Sequence, residues 1–224
     1  MMDTALDFIL KVIVLAPPIL MALTVHEASH GYAAYHFGDP TAKRLGRLTL
    51  NPLRHLDPAG TLFFFVTAML GSGFGWAKPV PVDPGRFKRP RQDMMWVSAA
   101  GPAANLLFAV ACAAALRAML ALGLSQESLA QGLVLRMLVY GVFINVILAL
   151  FNMIPLPPLD GSGVLGGLLP PRAAAEYQRR LGRYGFAILL ALLFLPALIP
   201  GFPDLIGSLI VPAAAWLTDL LLGF

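Results

Sequence analysis

The chain has 224 residues, of which 58% are hydrophobic and 12% charged, with a formal net charge of +4 at pH 7. A soluble globular domain carries about twice that charged fraction. Too few polar groups are available to cover a water-facing surface, so composition and a mean hydropathy of +0.75 point to an integral membrane protein. The positive balance does not indicate a nucleic-acid partner. The basic residues gather mainly in 43–91 and 172–183, between apolar stretches, with neither aromatic interleaving nor a basic helix. Cys112 is the single cysteine, which excludes an internal disulfide or a thiolate cluster. Any metal site must therefore draw on histidines and carboxylates.

A spanning helix needs about 20 mostly apolar residues. Residues 8–36 predict the first, apolar to Val25 and polar from there to His36, with Gly38-Asp39-Pro40 as its stop. Asp3 and Asp7 precede the apolar run and no small-residue cleavage site follows it, so this helix reads as retained rather than removed as a signal peptide. The stretch 59–82 does not fit a span, because its apolar core from Thr61 to Leu70 is only about ten residues. It reads as re-entrant or interfacial, followed by a turn at Gly71-Ser72-Gly73-Phe74-Gly75. Trp76 to Val82 is then extended, since Pro79 and Pro81 push their predecessors out of the helical region. Together these predict a short β-hairpin dipping into the membrane. Spans at 94–122 and 131–152 follow, the second ended by Pro155, Pro157 and Pro158. The last two, 184–200 and 204–222, are separated by Pro200-Gly201-Phe202-Pro203.

The expected fold is an all-α polytopic membrane protein with about five transmembrane helices, forming one domain over 1–224. Lys and Arg concentrate in alternate loops on the cytoplasmic side. That rule puts 37–93 and 153–183 inside and the Lys- and Arg-free link 123–130 outside. The N-terminus is then outside and the C-terminus cytoplasmic.

His26-Glu27-Ala28-Ser29-His30 carries the strongest chemical signal. On a helix, residues four apart share a face, and two neutral imidazoles at that spacing can hold one Zn²⁺. Glu27 is offset enough to miss the metal and close enough to take a proton from water beside it. The plainer reading, two unrelated histidines on a polar helix end, is disfavoured by the cost of burying such groups at membrane depth. A catalytic zinc takes three protein ligands, and a distant candidate is Asp160 in Leu159-Asp160-Gly161, just past a proline-rich break. Taken alone, Asp160 reads equally well as the cap of a short helix beginning near Gly161. Pairing it with the zinc helix favours the ligand.

Three motifs in order, His26-Glu27-x-x-His30, Gly101-Pro102-Ala103-Ala104-Asn105, and Asn152-x-x-Pro155 followed by Leu159-Asp160-Gly161, resemble the site-2 protease family of intramembrane zinc metalloproteases. The resemblance runs from about residue 20 to 165. It implies a three-helix catalytic core, here about 8–165, with a C-terminal helical pair at about 184–222 and no PDZ or CBS module. It implies one zinc held by His26, His30 and Asp160, with Glu27 catalytic, acting on transmembrane protein substrates in the lipid bilayer. It further implies that Asn105 and Asn152 lie near the metal. There an amide can bind the scissile carbonyl or merely tie helices together. Asn145, two turns before Asn152, reads as a packing residue.

His36 reads as interfacial, and His55, in Asn51-Pro52-Leu53-Arg54-His55, as bonded within its own loop. In the extended stretch, Pro79 and Pro81 blunt one edge, while Lys78, Val80 and Val82 offer the other to a substrate strand. Protection of an exposed edge against aggregation explains the same prolines. Two rivals remain. A prenyl-protein-trimming zinc protease takes a Glu as third ligand, but Glu127 and Glu176 fall in an outer link and a basic loop. A non-hydrolytic metal-binding or metal-transporting protein would string ionisable residues across several spans and has no need of Glu27.

Overall fold

The computed structural model describes residues 2–69, 75–124 and 128–223. Its helices are α1 (Met2–His36), α2 (Thr41–Arg44), α3 (Pro58–Met69), α4 (Pro90–Ala121), α5 (Leu129–Asn152), α6 (Asp160–Leu168), α7 (Pro171–Leu198) and α8 (Val211–Leu222). Four helical stretches are long and apolar enough to cross a membrane: Ile9–His36, Pro90–Ala121, Leu129–Asn152 and Pro171–Leu198.

Local chemistry sets the ends of these helices. The α1 helix stops where Gly38 takes φ +103° and Asp39 donates its N–H back to the Ala34 carbonyl at 2.9 Å. The first turn of α3 is secured by Asp57, whose carboxylate accepts the Gly60 N–H at 2.7 Å. A reciprocal capping box of Ser128 and Gln131 opens α5.

Two helices differ from the expected spans. The basic segment 172–183 is not a loop but the first turns of α7, which begins at Pro171 rather than at 184. Proline is pre-organised for the first helical position, and Glu176 pairs along the helix with Arg179 and Arg180. The fifth expected span is shorter than the other four, since Ile206–Leu222 falls in the class of short apolar helices and opens with a π turn at Ile206–Ile210.

The expected hairpin is likewise absent among the described residues. Its first arm is helical, as α3, and residues 75–83 run extended without joining a strand ladder. Pro79 and Pro81 supply no N–H, and the amides of Lys78 and Val80 bond to a loop carbonyl and a side chain instead. The turn expected at 71–75 lies outside the described residues except for Gly75.

Helix α4 is the central element, packed against α1, α5 and α6. Its small residues Ala109, Cys112 and Ala113 meet Val142 and Val146 of α5 and Ala214 of α8. Backbones approach closely across such faces, which is how helices associate where no hydrophobic force separates them from lipid. Leu156 and Leu159 seat the turn before α6 against Leu189 of α7.

Candidate metal centre

The polar end of α1 carries His26 and His30 one turn apart, their rings 4.7 Å between centroids and nearly perpendicular at 85°. Their Nε2 atoms are 3.1 Å apart. Asp160 Oδ2, at the start of α6, lies 3.0 Å from His26 Nε2 and 3.3 Å from His30 Nε2. Among the described residues these three form the group of His, Cys, Asp and Glu side chains able to hold a metal, with all ligand atoms within 4.8 Å.

The outer ring nitrogens are held by α4. His26 Nδ1 is 2.6 Å from Asn105 Oδ1, and His30 Nδ1 is 2.7 Å from the Val97 carbonyl oxygen. The Asn105 amide has one consistent orientation, because its Nδ2 donates to the Ala22 carbonyl at 3.0 Å and to Asn145 Oδ1 at 2.8 Å. Asn145 in turn donates to the Gly141 carbonyl at 2.8 Å. Both oxygens facing the imidazoles can only accept, so in the neutral form that binds a metal each Nδ1 carries the proton and each Nε2 presents a lone pair. Asn105 and Asn145 are fully buried and link α5 through α4 to α1.

The inner face is therefore three acceptors turned on one another. Asp160 Oδ2 is buried with no hydrogen-bond partner, a costly condition for a carboxylate. One extra proton would relieve only one contact of the three. A divalent cation relieves all of them, and zinc bonds of about 2.0–2.1 Å imply ligand separations of about 3.3 Å in a tetrahedron. The donor set and its spacing both fit zinc.

Local backbone chemistry brings Asp160 here. It opens α6 without capping it, since that terminus has no side-chain cap. The capping alternative is thus not what the carboxylate does. Gly161 is required, because a Cβ there would strike the Met153 and Ile154 carbonyls. Without a side chain, α6 can start against the end of α5. Gly101 is required for a different reason: a Cβ would sit 2.5 Å from His30 Nε2 and 2.7 Å from His26 Cε1. Its missing side chain is the space the imidazoles occupy.

Glu27 faces a cavity of about 910 Å³, which it lines with the two histidines, Asp160, Asn152 and Val80. Its Oε2 accepts the Val80 N–H at 2.8 Å. Asn152 also lines the cavity, its Nδ2 donating to the Leu148 carbonyl at 2.9 Å. The Lys78 N–H donates to the His55 carbonyl at 2.8 Å, so neither the Lys78 nor the Val80 amide faces an empty edge. Val82 also lines the cavity and packs with Ala34, Phe87 and Val97.

His55 is away from the metal group, its Nε2 bonded to the Thr49 carbonyl of its own loop at 2.9 Å. His36 is exposed, edge-on to Phe37. Sequence reasoning misses the Val97 carbonyl, and it singles out the Val80 main chain without finding its partner Glu27, because main-chain contacts leave no residue-type signal. It also misses Arg47, which meets the Lys78 carbonyl.

The sequence model of peptidase family M50 matches residues 118–196, a range that includes Asp160 and excludes His26 to His30. The chain is 41% identical over 178 residues to the "Putative zinc metalloprotease YwhC" of Bacillus subtilis, covering 80% of this chain and 78% of that protein. It is 34% identical over 192 residues to the "Putative zinc metalloprotease Rip2" of Mycolicibacterium smegmatis, covering 84% and 69%. The protein of the same name in Mycobacterium tuberculosis is 31% identical over 185 residues, covering 80% and 66%. No solved structure matches the chain.

Proposed function

The chain belongs to peptidase family M50, the site-2 protease family of zinc metalloproteases, and from that premise we propose that it is an intramembrane protease hydrolysing peptide bonds of transmembrane protein substrates. The observation that carries the reading is the convergence of His26, His30 and Asp160 beside Glu27, at the polar end of a membrane-length helix. In this reading His26, His30 and Asp160 hold one zinc per chain. When bound, zinc supplies a Lewis acid that acidifies water and polarises the scissile carbonyl.

The remaining steps belong to the protein. Glu27 accepts a proton from the attacking water and returns it to the leaving amine. Asn105 keeps His26 in the tautomer whose Nε2 is free to bind. Asn152, in the same cavity, presents an amide to the substrate main chain. A transmembrane helix hides its carbonyls in internal bonds, so it must unwind, and unwound backbone at membrane depth survives only against protein or water. The cavity beside residues 75–83, largely apolar but holding Glu27 and Asn152, supports such a place.

The test is Glu27→Gln in the full-length protein with a single-span membrane substrate. Cleavage is expected to disappear while zinc content stays unchanged. Normal cleavage by a folded, zinc-loaded Glu27→Gln protein would contradict Glu27 as the proton carrier, whereas no cleavage by the folded, zinc-loaded unmodified protein would favour a non-hydrolytic metal-binding or metal-transporting protein.

A further inference from the structure

The extended strap 75–83 is pinned by groups that the zinc chemistry leaves unused. At one end Asp39, fully buried, accepts the Asp83 N–H at 2.7 Å. Burial acts to raise the Asp39 carboxyl, yet the Asp83 N–H, the Thr41 hydroxyl and N–H, and nearby Arg86 hold it below the ordinary carboxylate range. The other anchor is Lys78, whose two main-chain groups are both engaged. Its N–H donates to the His55 carbonyl at 2.8 Å, and its carbonyl accepts from Arg47 Nη2 at 2.7 Å. Val80, two residues on, puts its N–H on Glu27.

Arg47 is an unusual residue to find here. It is only 8% exposed, and its Nε has no hydrogen-bond partner. Gly46, at φ +65°, makes the left-handed turn after α2, and the Arg47 N–H bonds back to the Ala42 carbonyl at 2.8 Å. A buried guanidinium is costly unless it is needed where it stands. What it holds is one carbonyl of the strap. Gly31 of α1 leaves the room for this arrangement, since a Cβ there would come within 2.6 Å of Leu48 and 3.0 Å of Val80.

We propose that Arg47 is a positioning residue for proteolysis: by fixing the Lys78 carbonyl it sets the register of the strap and keeps the Val80 N–H on Glu27. The Val80 donor occupies Oε2 and aims the other carboxylate oxygen at the reacting groups. The proposal rests on the reading of Glu27 as the proton carrier. Without Arg47 the Lys78 carbonyl is freed while the His55 and Asp39 anchors remain, so residues 78–80 are free to rotate between them and misplace the Val80 donor.

The experiment compares Arg47→Met, which keeps length without a donor, with Arg47→Lys, which keeps a cationic donor group. Both are made in the full chain, loaded with zinc, and assayed on a single-span substrate that the unmodified protein cleaves. Arg47→Met is expected to lower kcat about tenfold to a hundredfold, the scale of a small misplacement of a catalytic group, with KM and zinc content little changed. Arg47→Lys should recover part of that loss. In a Glu27→Asp background, whose carboxylate is one methylene too short to keep the Val80 contact, Arg47→Met should cost less than about twofold if the two act as one unit. The proposal is overturned if folded, zinc-loaded Arg47→Met keeps normal kcat, or if its loss is equally large beside Glu27→Asp. It is also overturned if both Arg47 variants fail to fold or lose zinc, which would make Arg47 a packing residue. Failure of the proton-carrier reading itself shows separately, as normal cleavage by Glu27→Gln.

Discussion

The two sides of the cavity hold their chemistry by different means. On one side, α1, α4 and α6 converge, and closely packed helices supply the contacts. Asn105 fixes His26, the Val97 carbonyl fixes His30, and Asp160 completes the group. On the other side is a strap with no ladder of its own, held at Lys78 and Asp83 and touching Glu27 through one backbone amide. The ligand side needs fixed imidazole orientation, which closely packed helices provide. Under the proposed function, the strap side calls for an extended backbone beside the reacting groups, which at membrane depth survives only where protein or water satisfies it. Rigidity therefore resides in packing on one side and in a few hydrogen-bonded anchor points on the other.

The largest effect on this contrast should come from Gly101→Ala. Glycine to alanine inside a helix ordinarily stabilises by roughly 0.5–1 kcal/mol. Here the new methyl would lie 2.5 Å from His30 Nε2, and the clash is expected to cost about 1–3 kcal/mol together with most of the bound zinc. Thermal unfolding and elemental analysis check both. A more stable, fully zinc-loaded Gly101→Ala protein would show that the ligand side is not close-packed. Next in size is Asn105→Ala, which strips His26 Nδ1 of its acceptor. Loss of such a support typically weakens metal affinity about 10- to 100-fold, measurable by competition with a chelator. If affinity is unchanged, the imidazole is oriented by something else. The smallest effect should be Lys78→Ala. Lys78 is exposed and its main chain is what is held, so cleavage should stay within about twofold, as for surface changes generally. A large loss would mean that the strap acts through side chains.

The same contrast explains which features are legible in the sequence. His26, Glu27, His30 and Asp160 are rare, expensive side chains in an apolar chain, and spacing together with cost marks them out. Asn105 stands out as a motif residue, but its choice between substrate binding and helix packing does not. That choice depends on which helix face meets α1, and the structure gives Asn105 a third task, orienting His26. The four long spans follow from apolar length. The start of α7 does not, because a run of arginines reads as a loop until Glu176 is seen pairing along the helix. The strap is legible as extended from Pro79 and Pro81. Its partners are not, since amides and carbonyls belong to every residue and only tertiary placement decides which of them meet.

The most direct test of the account is the zinc content of purified His26→Ala, His30→Ala and Asp160→Ala proteins, read by elemental analysis beside Glu27→Gln. About one zinc per chain is expected in the unmodified protein and in Glu27→Gln, and weakened binding in each of the other three, because a three-ligand site cannot hold its metal tightly on two. Full zinc content in folded Asp160→Ala, with cleavage intact, would contradict the assignment of the third ligand and with it the proposed centre.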